Sequence, residues 1–143
     1  MHPLTELRDQ HDAAMCMAER LLGMVDDYRG PADALPIALQ VGRLVGLLRV
    51  HLAQEDVQLY PKLIASGDRE IAKLALAYVA EMGGLANELE LFARHWSSSA
   101  VIAAGFADFA EAARDLVLQL AFRIERENRH LYPLAERPVR RAA

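Results

Sequence analysis

The sequence predicts an all-α protein, an antiparallel up-down-up-down four-helix bundle. Three observations predict it. Apolar residues recur at spacings of three and four along four long stretches. Short clusters of Gly, Pro, Ser and Asp separate those stretches. No stretch alternates as a strand would, and no linker divides the 143 residues, so a single domain over 1–143 is expected. Long helices with short connections pack most simply as antiparallel neighbours.

The first helix is expected from Thr5 to Tyr28. Leu4, Leu7, His11, Met15, Ala18, Leu22 and Val25 give its inward stripe, and the Thr5 hydroxyl is a fitting N-cap. The run Arg29 to Asp33 holds Gly and Pro and ends it. The second helix is expected from Leu35 to Ile64. Pro36 falls in its first turn, where a missing N–H costs little. Pro61 is placed to disturb its last turns. After the break at Ala65 to Asp68, where Ser66 or Asp68 can cap, a third helix is expected from Arg69 to Trp96. Its stripe is Ala75, Tyr78, Met82, Leu85, Leu89, Phe92 and Trp96. Gly83 and Gly84 each cost about 1 kcal/mol against alanine in a helix interior, and mark either a kink or a close helix contact. Ser97 to Ser99 offers a cap for a fourth helix from Ala100 to Ala135. Its stripe is Phe109, Ala113, Leu116, Leu120, Arg123, Glu127, Leu131 and Leu134.

Composition narrows the function. Apolar residues make up 53% and charged residues 25%, the balance of a globular chain. A net charge of −4 gives no electrostatic footprint for nucleic acid, and the short basic run Arg137 to Arg141 reads as a solvated tail. No apolar run is judged long enough to span a bilayer, so no membrane partner is expected. The charged N-terminal residues lack a signal-peptide core. The lone Cys16 excludes an intrachain disulfide. Cytoplasm is the expected location.

The stretch that carries chemistry runs from His51 through Glu55 to Leu59, Tyr60 and Pro61. Residues four apart share a helix face, so His51 and Glu55 reach one point. Seventy-two residues later Glu127, Leu131, Tyr132 and Pro133 repeat the pattern, with Arg123 where the histidine would stand. Five polar residues therefore fall in core phase: His11, His51, Glu55, Arg123 and Glu127. Burying them costs free energy unless they are hydrogen-bonded, paired or bound to metal. Facing imidazoles and carboxylates are how bundles build metal sites, and this donor chemistry suits iron, zinc or manganese.

These motifs resemble the hemerythrin-like, or HHE cation-binding, domains, over nearly the whole chain. That family has a histidine on the first helix, His-x-x-x-Glu with Leu-Tyr-Pro on the second, a histidine on the third, and a second His-x-x-x-Glu with Leu-Tyr-Pro on the fourth. His11, His51 with Glu55, and Glu127 match it, as do both Leu-Tyr-Pro endings. Two positions depart. Met82 stands at or near the third-helix histidine, and Arg123 replaces the fourth-helix one; a guanidinium has no lone pair to donate. The resemblance implies a di-iron centre with bridging glutamates. Carried over residue by residue, His11, His51, Glu55 and Glu127 form one half-site, and Met82 and Arg123 abolish the other. The expected site is mononuclear at most, with iron as the metal, zinc or none as alternatives, and Arg123 supplying the second metal's charge to both carboxylates. The implied role is sensing oxygen, nitric oxide, or metal and redox state, with a diatomic gas as partner. No nucleophile–base pair or phosphate loop is present, so no enzyme is expected.

A rival reading needs no metal. Arg123 pairs with Glu55 and Glu127, the histidines satisfy the remaining oxygens, and the bundle serves as a protein-interaction or signalling module with a partner chain or a second copy. The acidic face of Glu6, Asp9, Asp12 and Glu19 would then be a candidate surface. The other notable residues have plainer readings. His95 reads as surface or end-of-bundle packing, His130 as exposed and His2 as part of a loose terminus. Cys16 reads as a packed thiol, and Met15, Met17, Met24 and Met82 as core. Tyr60 and Tyr132 read as packing at one end of the bundle, with a hydrogen bond to a ligand as the alternative.

Overall fold

The computed structural model describes residues 3–137, which leaves His2 and most of the basic tail outside the described residues. Helix α1 spans Pro3–Asp26. It starts before Thr5, so Thr5 lies within the helix rather than capping it. A tight turn at Pro31–Asp33 leads into α2, Ala34–Gln54, which continues through Glu55–Leu59 into Tyr60–Ile64. Helix α3 spans Arg69–His95. Asp68 caps it as expected, accepting from the N–H groups of Glu70 at 2.9 Å and Ile71 at 3.2 Å.

The fourth helix is not continuous, contrary to expectation. Ser98 caps a short α4, Ser99–Ala104, with its hydroxyl accepting from Val101 N–H. The chain breaks at Gly105, against the Trp96 ring, and α5 then runs Phe106–Arg126. It continues through Glu127–Leu131 into Tyr132–Ala135. A glycine inside a helix is weakly held, and the bulk of Trp96 packs at that point. Helix α1 packs on α2 and α5, and α3 packs on the same two, which closes the antiparallel four-helix bundle.

The core has two apolar parts. The larger includes Ala14, Ala18, Leu21, Leu44, Leu48, Leu89, Phe109 and Leu120. The smaller joins Leu4, Leu7, Leu59, Tyr60, Leu63, Tyr78, Leu131 and Tyr132. Along α1, α2 and α5, with their continuations, the buried His11, His51, Glu55, Arg123 and Glu127 fall between the two, so the bundle carries a polar layer sandwiched by apolar ones; buried Gln40 lies apart, within the larger part. The buried stripe of α1 passes through Ala14 and Leu21; Met15 and Leu22 are only partly buried, as are Met17 and Met24. Spacings of three and four allow both tracks, and the smaller alanines admit closer helix approach. Gly83 and Gly84 are exposed with open space at their Cβ positions, so they mark no close helix contact. Cys16 is exposed, not packed as expected, because it lies off the stripe. His95 and His130 are exposed, as expected.

One expectation about membranes needs correcting. The helical stretch Pro31–Ile64 holds an 18-residue window long and apolar enough for a bilayer-crossing helix. Its apolar character has two sources. Val41, Leu44 and Leu48 build the core, while Leu35, Leu39, Val50 and Val57 are exposed.

Candidate metal centre

The two Leu-Tyr-Pro endings have a local structural consequence. Pro61 and Pro133 lack an N–H, and in a regular helix each ring would clash with the carbonyl four residues back. The chain relieves both clashes by widening one turn. Tyr60 N–H donates to the Glu55 carbonyl, and Tyr132 N–H to the Glu127 carbonyl, five residues back instead of four. The widened turns bury consecutive residues, Leu59 with Tyr60 and Leu131 with Tyr132. Both tyrosines thereby reach the polar layer. The Tyr60 hydroxyl donates to Glu127 Oε2 at 3.2 Å, and that of Tyr132 donates to His11 Nε2 at 3.1 Å. Their rings pack in the smaller core as expected, and the hydrogen bonds to site residues are made as well.

His11 comes from α1, His51 from α2, and Glu55 and Glu127 from the widened turns. All four are buried, and each offers one donor atom within 4.8 Å of the others. Bonds of about 2.1 Å hold donors no more than about 4.2 Å apart across a single ion, so a small inward shift would close the set. Among the described residues this is the one such grouping of three or more.

Hydrogen bonds fix which nitrogens face inward. His11 Nδ1 lies 2.8 Å from Asn128 Oδ1, which accepts its proton. His51 Nδ1 lies 2.7 Å from Gln10 Oε1. The Gln10 amide donates to Gln54 Oε1 at 2.5 Å, and the Gln54 amide donates to Glu6 at 3.3 Å. A carboxylate only accepts, so Glu6 sets the direction of the entire chain and gives His51 the tautomer with Nε2 bare. Ligating histidines commonly hold their other N–H this way. Gln10, Gln54 and Asn128 carried no signal in the sequence beyond lying next to, or one turn from, the predicted residues.

The bare groups converge. His51 Nε2 stands 2.5 Å from Glu55 Oε1, and neither atom makes a hydrogen bond in that direction; Glu55 Oε2 has none either. His11 Nε2 lies 3.6 Å from Glu127 Oε1. Two acceptors at that separation repel unless a cation, a proton or a metal, lies among them. Burial pushes the Glu55 carboxyl well above the usual carboxylate range, and Glu127 adds to it. Burial also acts on Glu127, but contacts with Glu55 and His11 outweigh it and hold it low. Burial, with the nearby charge of His11, lowers His51 to about 4. Burial pushes both tyrosines far up, which keeps them as donors. The donor set, two imidazole nitrogens and two carboxylates, fits one Fe or Zn ion.

Arg123 does not pair with Glu55 and Glu127, as both earlier expectations required. Its Nη1 lies 2.8 Å from Glu81 Oε2, which also takes Arg126 at 2.5 Å. Arg123 Nη2 donates to the Tyr78 carbonyl at 3.5 Å, and the guanidinium lies over the Tyr78 ring at 5.0 Å. A guanidinium reaches the nearest partly solvated carboxylate at lower desolvation cost than two fully buried ones, and Glu81 on the facing helix is 45% exposed. Met82 is buried nearby and offers a thioether unsuited to a hard ion.

A family model described as "Hemerythrin HHE cation binding domain" matches residues 2–136. No curated protein and no solved structure matches the chain.

Proposed function

The chain belongs to the hemerythrin HHE cation-binding family, and from that premise we propose that it holds a single non-haem metal ion, iron before zinc, through His11, His51, Glu55 and Glu127. The observation that carries the proposal is the set of inward-facing, hydrogen-bond-free donors at His51 and Glu55, with both histidine Nδ1 groups already committed outward. When bound, the metal would supply a Lewis-acidic, redox-capable centre for a small ligand. The protein's own groups would orient it. Gln10 and Asn128 hold the imidazoles, Tyr60 and Tyr132 donate to site atoms, and the apolar layers exclude water.

We further propose a non-enzymatic role in the cytoplasm, sensing oxygen, nitric oxide, or metal and redox state. One metal fails to supply the two electrons that reversible oxygen binding of the di-iron type requires, so sensing is favoured over oxygen carriage. Thermal unfolding tests the core of the reading. Added ferrous or zinc ion should raise Tm, and chelator should reverse the rise, because a ligand that binds only the folded state stabilises it by mass action. At a hundredfold excess over Kd the gain is about 2.7 kcal/mol. A Tm indifferent to both ions would favour a second reading, a metal-free interaction module. Leu35, Leu39, Val50 and Val57 along α2 are the observation on that side.

A further inference from the structure

Glu6 is exposed on the first turn of α1, yet it ends a line of polar groups that begins inside the site. His51 Nδ1 meets Gln10 Oε1 at 2.7 Å. The Gln10 amide meets Gln54 Oε1 at 2.5 Å, and the Gln54 amide meets Glu6 Oε1 at 3.3 Å. Glu6 and Gln10 are one turn apart on the same face of α1, and Gln54 bridges them from α2. Both glutamines are half-buried. The line therefore runs from the buried polar layer to the solvent.

Each link is a primary amide, and a primary amide works in either direction. It donates from nitrogen and accepts at oxygen, and turning it over exchanges the two. A neutral imidazole is equally two-sided, with its proton on Nδ1 or on Nε2. Only Glu6 is one-sided. With a carboxylate as terminus, each amide donates outward and His51 supplies its proton at Nδ1. In the reversed line the Gln54 oxygen would face the Glu6 oxygen, two acceptors with no hydrogen between them. His51 would then carry its proton on Nε2, the nitrogen that stands 2.5 Å from Glu55 Oε1. A proton there excludes a metal there, because a ligating imidazole needs that lone pair.

We propose that Glu6 is a positioning residue for the metal site: from the surface of α1, through Gln54 and Gln10, it decides whether His51 offers the site a lone pair or a proton. A donor-only group in its place reverses the whole line, since an ammonium has three donors and no acceptor. The acidic face of α1 thereby divides. Glu6 acts on the site through hydrogen bonds, whereas the exposed Asp9 acts only as a charge screened by solvent. The effect on metal affinity rests on the metal-binding reading, but the tautomer of His51 is a property of the metal-free chain.

Nitrogen-15 NMR of the histidine side chains reads that tautomer on metal-free full-length protein at neutral pH, and calorimetric titration with zinc reads the affinity. Wild type should carry the His51 proton on Nδ1. Glu6→Lys should move it to Nε2 and weaken zinc binding by about tenfold or more, the scale of one hydrogen bond to a charged group. Asp9→Lys makes the same change of charge outside the line and should leave both readouts as in wild type. Gln10→Glu added to Glu6→Lys should restore both, because a carboxylate beside His51 accepts the Nδ1 proton without the rest of the line; a misfolded variant would not recover this way. A wild-type proton on Nε2, an unchanged tautomer in Glu6→Lys, or the same shift in Asp9→Lys overturns the proposal. If wild type binds no zinc, the metal-binding reading fails separately. The tautomer then decides alone: a shift confined to Glu6→Lys supports the proposal, and no shift overturns it.

Discussion

At the residue scale, the site is governed by where protons sit. His51 titrates at about 4 in the folded chain against an ordinary 6.5, so it stays neutral there. The unfolded chain takes up a proton as pH falls below 6.5, and the folded chain does not until about 4. Stability is therefore lost across that window on acidification. Glu55 acts with the opposite sign. Its raised folded value keeps a proton on the native state that the unfolded chain has released, so acidification toward 4.5 favours folding. The two effects offset each other in the metal-free wild type. Glu55→Gln removes the second and exposes the first. Metal-free Glu55→Gln should lose about 3 kcal/mol between pH 7 and pH 4, the worth of the His51 shift. Wild type should lose less over the same range. Urea unfolding at a series of pH values checks this: a variant profile that stays flat from pH 7 to pH 4 would show that His51 is not held neutral, and parallel profiles would show that Glu55 does not hold a proton. The four donors were legible in the sequence because each interrupts an apolar stripe at a spacing that a helix cannot hide. The groups that orient them were not. Gln10 and Asn128 lie on the flanks of the stripe, where a polar side chain is the ordinary occupant, and only the fold shows which imidazole each one meets.

At the scale of the element, the widened turns at Glu55–Leu59 and Glu127–Leu131 are the device that joins the motif to the site. The prolines were visible in the sequence as disturbances. The form of the disturbance was not, because a proline can kink a helix, end it or widen it, and helix periodicity assumes a constant turn. The result sets Tyr60 beside Leu59 and Tyr132 beside Leu131 on the buried side, with both hydroxyls in the polar layer. Restoring the N–H should undo this. Pro61→Ala with Pro133→Ala should stabilise the metal-free chain, since alanine suits a helix better than proline. It should also weaken metal binding by about tenfold, the lower end of what losing an orienting group costs. Calorimetric titration beside a melting curve separates the two effects. Tighter metal binding in the double variant would mean the wide turns do not serve the site. The break at Gly105 was missed for a related reason: the sequence of α4 and α5 keeps its stripe across the glycine, and only Trp96 packing against it shows why the helix divides there.

At the scale of the whole molecule, the bundle is a polar layer held between two apolar ones, and the layer is asymmetric. The half repeat 72 residues apart brings two glutamates and two tyrosines to matching places. The histidine partners differ. One side keeps His11 and His51, and the other holds Met82 and Arg123, with Arg123 turned toward Glu81. The four-helix architecture and the asymmetry were both legible from the doubled motif. The direction Arg123 takes was not, because a long flexible cation reaches several carboxylates and only three-dimensional packing selects Glu81. The central claim is that this asymmetry leaves room for one metal. The most direct test is elemental analysis of metal per chain, on protein expressed with added iron and purified without chelator or an affinity metal, beside Glu55→Ala prepared the same way. The account predicts close to one iron or zinc per wild-type chain and a loss of that metal in Glu55→Ala. A value near two, or none after reconstitution with either ion, would contradict it.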